Sequence, residues 1–236
     1  MKFLLLTTTF PLVSSLFIPK YEYKNPIQKK YNSYIESSKF PVVVATGLPG
    51  TGKTLIACHT AIKLFKEGKY KKIIITRPII TVDEQLGYLP GTLQDKMHPF
   101  LIPIYDYFLD YYTKDEITCL INSNKLEISP LAFMRGRTFR DSIVIADEMQ
   151  NSSINQMKML LTRIGHNSKI IITGDLMQCD IDTLNNDNGL KHFTEQLFNK
   201  YSDYYLMLLD GFGHVNLDES CIERHEMINK IISLYD

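Results

Sequence analysis

The chain has 236 residues, 44% of them apolar and 22% charged, a balance ordinary for a soluble globular protein and sufficient for one α/β domain with a short extension. Lysine plus arginine equals aspartate plus glutamate at 26 each, so bulk charge gives no argument for nucleic acid, and any such binding must come from a local patch. No segment reaches the roughly 18 unbroken apolar residues of a membrane helix. The four cysteines, Cys58, Cys119, Cys179 and Cys221, form no C-x-x-C pair, which argues against a zinc site or a disulfide framework.

In chain order, residues 1–24 read as an extension before a domain covering 25–236. Met1 to Phe17 carries one lysine, an apolar stretch broken by Thr7-Thr8-Thr9, then Ser14 and Ser15. This pattern fits either a signal or organelle-targeting presequence or a peripheral strand. Phe40 to Ala45 is short, apolar and β-branched, which predicts a strand. From Lys53 the apolar residues Ile56, Ala57, Ile62, Leu64 and Phe65 recur at helical spacing up to Gly68. Lys71–Thr76, Ser142–Ala146, Lys169–Thr173 and Tyr204–Leu209 are continuous apolar runs and are expected as further strands, buried on both faces. Pro99–Tyr112, Ile154–Arg163, Leu190–Lys200 and Cys221–Leu234 are helical candidates, and Cys179–Gly189 reads as a loop. The alternation of strand and helix specifies a mostly parallel sheet of about five or more strands flanked by helices. Ligands of such sheets sit at the carboxyl ends of the strands.

Gly47-Leu48-Pro49-Gly50-Thr51-Gly52-Lys53-Thr54 fits the phosphate-binding P-loop, G-x-x-x-x-G-K-[ST], between the first strand and the first predicted helix. Glycines permit backbone angles that turn N–H groups toward a β-phosphate, Lys53 neutralises β/γ-phosphate charge, and Thr54 offers a hydroxyl to Mg²⁺. The helix that follows presents its N-terminal dipole to the anion. Asp147 and Glu148 end the Ser142–Ala146 strand. In a P-loop NTPase an aspartate there holds the Mg²⁺ shell, and an adjoining glutamate orients and deprotonates water. Gly174-Asp175-Leu176-Met177-Gln178 follows the next strand, where the neutral Gln178 amide can sense a γ-phosphate; the same residues also suit a plain turn. Arg135, Arg137 and Arg140 cluster before the Asp-Glu strand, with Arg163 and Arg224 elsewhere. Each suits phosphoryl-transfer charge or a surface ion pair, and Arg135 and Arg137 also suit RNA phosphates.

Other residue types give less. Tyr105, Tyr107, Phe108, Tyr111 and Tyr112 have a helical spacing that fits core packing better than base stacking. The histidines, His59, His98, His166, His192, His214 and His225, share no metal-ligand spacing, and Asp180, Asp182 and Asp187 lack the remainder of a calcium loop.

Taken together, these segments resemble the PhoH-like ATPases, a P-loop family related in its core to superfamily 1 helicases. The likeness runs from about Asn25 to the C-terminus. Beyond the P-loop it is carried by Arg77-Pro78, Leu86-Gly87-Tyr88-Leu89-Pro90-Gly91, the stretch from Pro130 to Thr138, Asp147-Glu148-Met149-Gln150-Asn151, Leu161-Thr162-Arg163-Ile164-Gly165, and Gly174-Asp175 with Gln178. The resemblance implies a RecA-like sheet, ATP and Mg²⁺ as cofactors, ATP hydrolysis, and a homo-oligomer, with hexameric rings in which Arg135, Arg137 or Arg163 crosses to a neighbour's phosphate. It also implies that Gln28 reads adenine and that Arg224, followed by His225, approaches the γ-phosphate. ATP use favours a cytoplasmic location over export. Two departures stand out: there is no room for the nuclease domain or the second RecA-like domain of some relatives, and Pro49 replaces the usual alanine. Pro49 fixes φ and removes an N–H, which the loop tolerates only where that N–H is not a phosphate donor. Three functions follow in order: an ATPase coupled to RNA binding or remodelling, a nucleotide-gated RNA-binding or assembly protein with negligible hydrolysis, and a small-molecule kinase.

Overall fold

The computed structural model describes residues 22–23, 25–78, 104–178 and 188–222. Six strands, β1 (Val42–Gly47), β2 (Lys72–Arg77), β3 (Leu126–Pro130), β4 (Ser142–Ala146), β5 (Lys169–Gly174) and β6 (Phe212–Leu217), form one sheet in the order β3-β2-β4-β5-β1-β6. Every pairing is parallel. Parallel neighbours need crossovers, and these are supplied by helices on both faces.

The central strands show why. Along them, side chains alternate between two cores: Val43, Ala45, Ile73, Ile75, Ile143, Ile145 and Ile171 enter one, while Val42, Val44, Ile74, Val144, Ala146, Ile170 and Ile172 enter the other. A strand with both faces covered is apolar at every position, which is how these runs read in the sequence. Helices α1 (Pro26–Glu36) and α2 (Lys53–Lys66) cover the first core, joined by the helical residues 104–109 and the helix Lys114–Asn122. The turn Leu131–Met134 and the helices Ile154–Leu161, Gly189–Lys200 and Tyr204–Leu209 cover the second.

The fold is thus the parallel α/β sheet that the sequence pattern predicts, of the RecA-like class that the resemblance implies, with β5 lying between the strand that enters the P-loop and the strand that ends in the acidic pair. Phe108 is buried, and Tyr105, Tyr107, Tyr111 and Tyr112 pack against the first core, as their spacing predicts. Cys58 and Cys221 are buried free thiols and Cys119 is an exposed one. Among the described residues no helix is long and apolar enough to cross a membrane.

One expectation is overturned. Tyr204–Leu209 is a short helix rather than a strand, because Asp203 caps it by accepting from the Tyr205 N–H at 2.8 Å. Only Met207 is buried, while Tyr205, Leu206 and Leu209 are exposed, so the apolar run does not mark a buried strand. The strand follows at Phe212–Leu217. Strand β3, α1 and the helix Lys114–Asn122 are additions to the sequence reading. Residues 1–21, 86–91, most of the Cys179–Gly189 loop, and Cys221–Leu234 beyond Ile222 lie outside the described residues.

Candidate functional site

Register aligns the carboxyl ends of the strands. Thr46 lies beside Gly174 and Asn216, and Ala146 beside Ile172 and Thr76, so the segments leaving β1, β4 and β5 emerge together. Two glycines are required at the loop. Gly47 has φ +145°, and a Cβ there would lie 2.1 Å from the Leu217 carbonyl oxygen on β6. Gly52 adopts φ +89° as the residue before α2, a left-handed conformation that costs glycine little. Pro49 sits in the turn between Gly47 and Gly50. The loop is also closed by its own side chains. Buried Thr51 donates its hydroxyl to the Leu48 carbonyl at 2.8 Å, and the Lys53 ammonium donates to the carbonyls of Gly47 at 2.7 Å and Leu48 at 2.8 Å.

Asp147 is the hub of the site. It is buried, and its Oδ1 accepts from Thr54 Oγ1 at 2.8 Å and from Thr173 Oγ1. Its Oδ2 receives the Nε of Arg77 at 2.8 Å and also the Nη2 of the same guanidinium. A buried carboxylate needs such partners, because an isolated charge out of water is costly. Burial works against the charge on Arg77, and the adjacent Asp147 more than reverses this, so its pKa is raised.

Glu148 takes φ +55° and ψ +39°, an uncommon conformation for a residue with a side chain. The residue is exposed, yet its carboxyl is partly desolvated by the protein around it. That desolvation, with the charge of Asp147, raises its pKa above the ordinary value. Its Oε2 accepts from the Nε2 of Gln150 at 2.6 Å. Asp175 is buried and uses its Oδ1 to accept from the Met177 N–H at 2.9 Å, and Gln178 follows on the exposed surface.

A family profile described as PhoH-like protein matches residues 20–236. The chain belongs to the PhoH-like family. It is 43% identical over 195 residues to a PhoH-like protein of Bacillus subtilis, covering 83% of this chain and 58% of that one. With a PhoH-like protein of Synechocystis the identity is 35% over 209 residues, covering 89% and 60%. The chain therefore spans less than two thirds of the length of either relative. Among solved structures, the large terminase of a thermophilic bacteriophage aligns over 88% of this chain and 49% of its own, at 9% identity and a TM-score of 0.48.

The remaining predicted residues of this PhoH-like chain fall in three places. Gln28 is fully buried behind the P-loop, where its amide donates to the carbonyls of Thr51 at 3.3 Å and Cys221 at 3.5 Å and accepts from the Asn25 N–H. It therefore braces the loop against the C-terminal segment. Arg137 is held in a two-pronged pair with Glu127 on β3, one contact at 2.8 Å, and Lys72 reaches the same carboxylate at 2.6 Å. The Arg137 hydrogen bond outweighs burial and holds the Glu127 pKa down at about 2. Arg163 lies at the opposite end of the sheet from the P-loop: its carbonyl accepts from the Phe139 N–H at 2.8 Å, ahead of the first residue of β4. At about 3.3 Å per residue, β4 alone puts roughly 15 Å between that end and Asp147. Arg135 is exposed, and together with Gly136, Gln156, Lys158, Met159 and Arg163 it lines a groove of about 730 Å³. Arg224 lies outside the described residues.

Sequence reasoning gave no role to Arg77, Thr173 or Gln150. The signal was available for the first two, since each sits at or next to the carboxyl end of an apolar run, as Asp147 does. Gln150 had no such signal, because its placement depends on the turn Met149–Asn151.

Proposed function

We propose that this chain binds ATP at the P-loop and hydrolyses it to ADP and phosphate. The observation that carries this reading is the 2.8 Å contact between Thr54 Oγ1 and Asp147 Oδ1, which joins the loop's terminal hydroxyl to the acidic pair of β4. These are hard oxygen donors of the kind that fit Mg²⁺, with further positions left to water and phosphate oxygens. Thr54 and Asp147 would hold the ion, which when bound supplies positive charge against the phosphates. Lys53 exchanges the carbonyls of Gly47 and Leu48 for phosphate oxygens. The N-terminus of α2 faces the same anion. Glu148, beside Asp147 but outside its network of buried partners, orients the attacking water and accepts its proton. Gln178 senses the γ-phosphate without adding charge.

An RNA partner is supported by the groove that holds Arg135, Lys158 and Arg163. Because Arg137 is committed to Glu127, phosphate contacts fall to the other three cations. Arg163, at the opposite end of the sheet from its own loop, would serve a phosphate of a neighbouring subunit in a homo-oligomer. Phosphate release from Mg·ATP tests the hydrolytic reading: turnover is expected in the parent protein and should fall to background with Lys53→Ala. Equal rates in the two proteins would reject it.

A further inference from the structure

Gln150 is buried, yet both ends of its amide are in use, with opposite polarity. Its Nε2 donates to Glu148 Oε2 at 2.6 Å, while its Oε1 accepts from the Asp175 N–H at 3.1 Å. A primary amide can donate to a carboxylate from one end while accepting from a peptide N–H at the other. Leucine does neither, and an ionised glutamate would put a second negative charge on Glu148. The contact with β5 is close: a Cβ built at Gly174 would lie 2.6 Å from Gln150 Oε1. Beyond it, Asp175 Oδ1 accepts from the Met177 N–H, which fixes the turn leading to Gln178. A continuous run of hydrogen bonds therefore connects Glu148 on the β4 side with the turn after β5.

We propose that Gln150 is a positioning residue that ties the Glu148 carboxylate to the Asp175–Gln178 turn, so that a phosphate sensed at the turn sets the orientation of Glu148. This rests on the ATPase reading given above. Glu148 holds an uncommon left-handed backbone conformation at the start of the Met149–Asn151 turn, and the Gln150 side chain is what connects its carboxylate to the next strand. Movement of the Asp175 N–H is then passed on to Glu148 through one rigid amide.

The test compares the parent protein with Gln150→Leu and Gln150→Glu by three measurements: affinity for a fluorescent non-hydrolysable ATP analogue with Mg²⁺, hydrogen exchange at the Asp175 amide with and without that analogue, and single-turnover hydrolysis. The expected result is analogue affinity within about threefold of the parent, hydrolysis at least tenfold slower, and loss of the analogue's effect on Asp175 exchange in both variants. Gln150→Glu keeps an acceptor for the Asp175 N–H, so it should retain slow exchange without nucleotide while still losing turnover; this separates the positioning role from a packing defect. Parent-like hydrolysis in Gln150→Leu, or an analogue effect on Asp175 that persists there, would overturn the proposal. A parent that binds the analogue without turnover would remove the hydrolytic reading, and the exchange response would still decide for or against the Gln150 link.

Discussion

The two ends of the sheet use arginine in opposite ways. At the carboxyl end, Arg77 is mostly buried and paired with a carboxylate that is itself buried, so its charge is spent inside the molecule. Toward the amino end, Arg163 borders an open groove with Arg135 and Lys158 and donates to neutral oxygens, the Arg137 carbonyl and the Thr162 hydroxyl, while Arg137 is paired with the part-buried Glu127. The first arrangement suits a fixed polar site that is ready before ligand arrives, and the second suits an adaptable surface for phosphates or a neighbouring subunit. The same residue type therefore carries different weight at the two ends, and substitutions should separate them.

The largest contrast is between Arg77→Ala and Arg137→Ala. Removing Arg77 leaves Asp147 buried without its cation, which should cost on the order of 3 kcal/mol, whereas Glu127 keeps Lys72 and some solvent, so losing Arg137 should cost about 1 kcal/mol. Urea unfolding of both variants measures this, and equal losses would break the contrast.

A smaller effect is expected from His214 on β6, which lies 3.3 Å from Thr46 Oγ1. Burial, with a contribution from Lys30, lowers its pKa to about 4 from an ordinary value of 6.5. Between these values the unfolded chain binds the proton and the folded chain does not, so this group's contribution is fully present above pH 6.5 and is lost as pH falls through 4. The loss should be on the order of 2 kcal/mol, and stability measured from pH 7.5 to 4 should fall less steeply by that amount in His214→Asn.

The smallest effect is at the groove. Arg135→Ala and Arg163→Ala should each reduce the salt dependence of RNA binding by about one unit of slope, with little change in folding stability. An unchanged slope in both would remove RNA from the groove.

What the sequence revealed follows from burial. Strands β1, β2, β4 and β5 lie inside the sheet, covered on both faces, and their continuous Val and Ile runs identify them within two residues at either end. Strands β3 and β6 are the two edges, and their sequences do not read as strands. Leu126–Pro130 carries Glu127 and Ser129 and ends in proline, and Phe212–Leu217 carries His214 and Asn216, because edge positions are less covered and tolerate polar side chains. Tyr204–Leu209 misled in the other direction, since apolar content at an exposed helix imitates a buried strand. Helix α1 does not stand out by periodicity because much of its surface is polar, although Asn25 and Gln28 form a capping box that is visible in the sequence. At the site, the P-loop and Asp147-Glu148 were legible because each follows directly on a strand. The places of Arg77 and Thr173 at strand ends were legible as well, but their pairing with Asp147 was not, since it depends on the lateral order of strands, which no local pattern encodes.

Hydrolysis of nucleotide at the carboxyl edge is tested most directly by Glu148→Gln, with ATP affinity and phosphate release measured on the same preparation beside the parent. The expected result is affinity within about threefold of the parent and phosphate release reduced by about a hundredfold or more. Phosphate release equal in the two proteins, whether both near zero or both substantial, would contradict it.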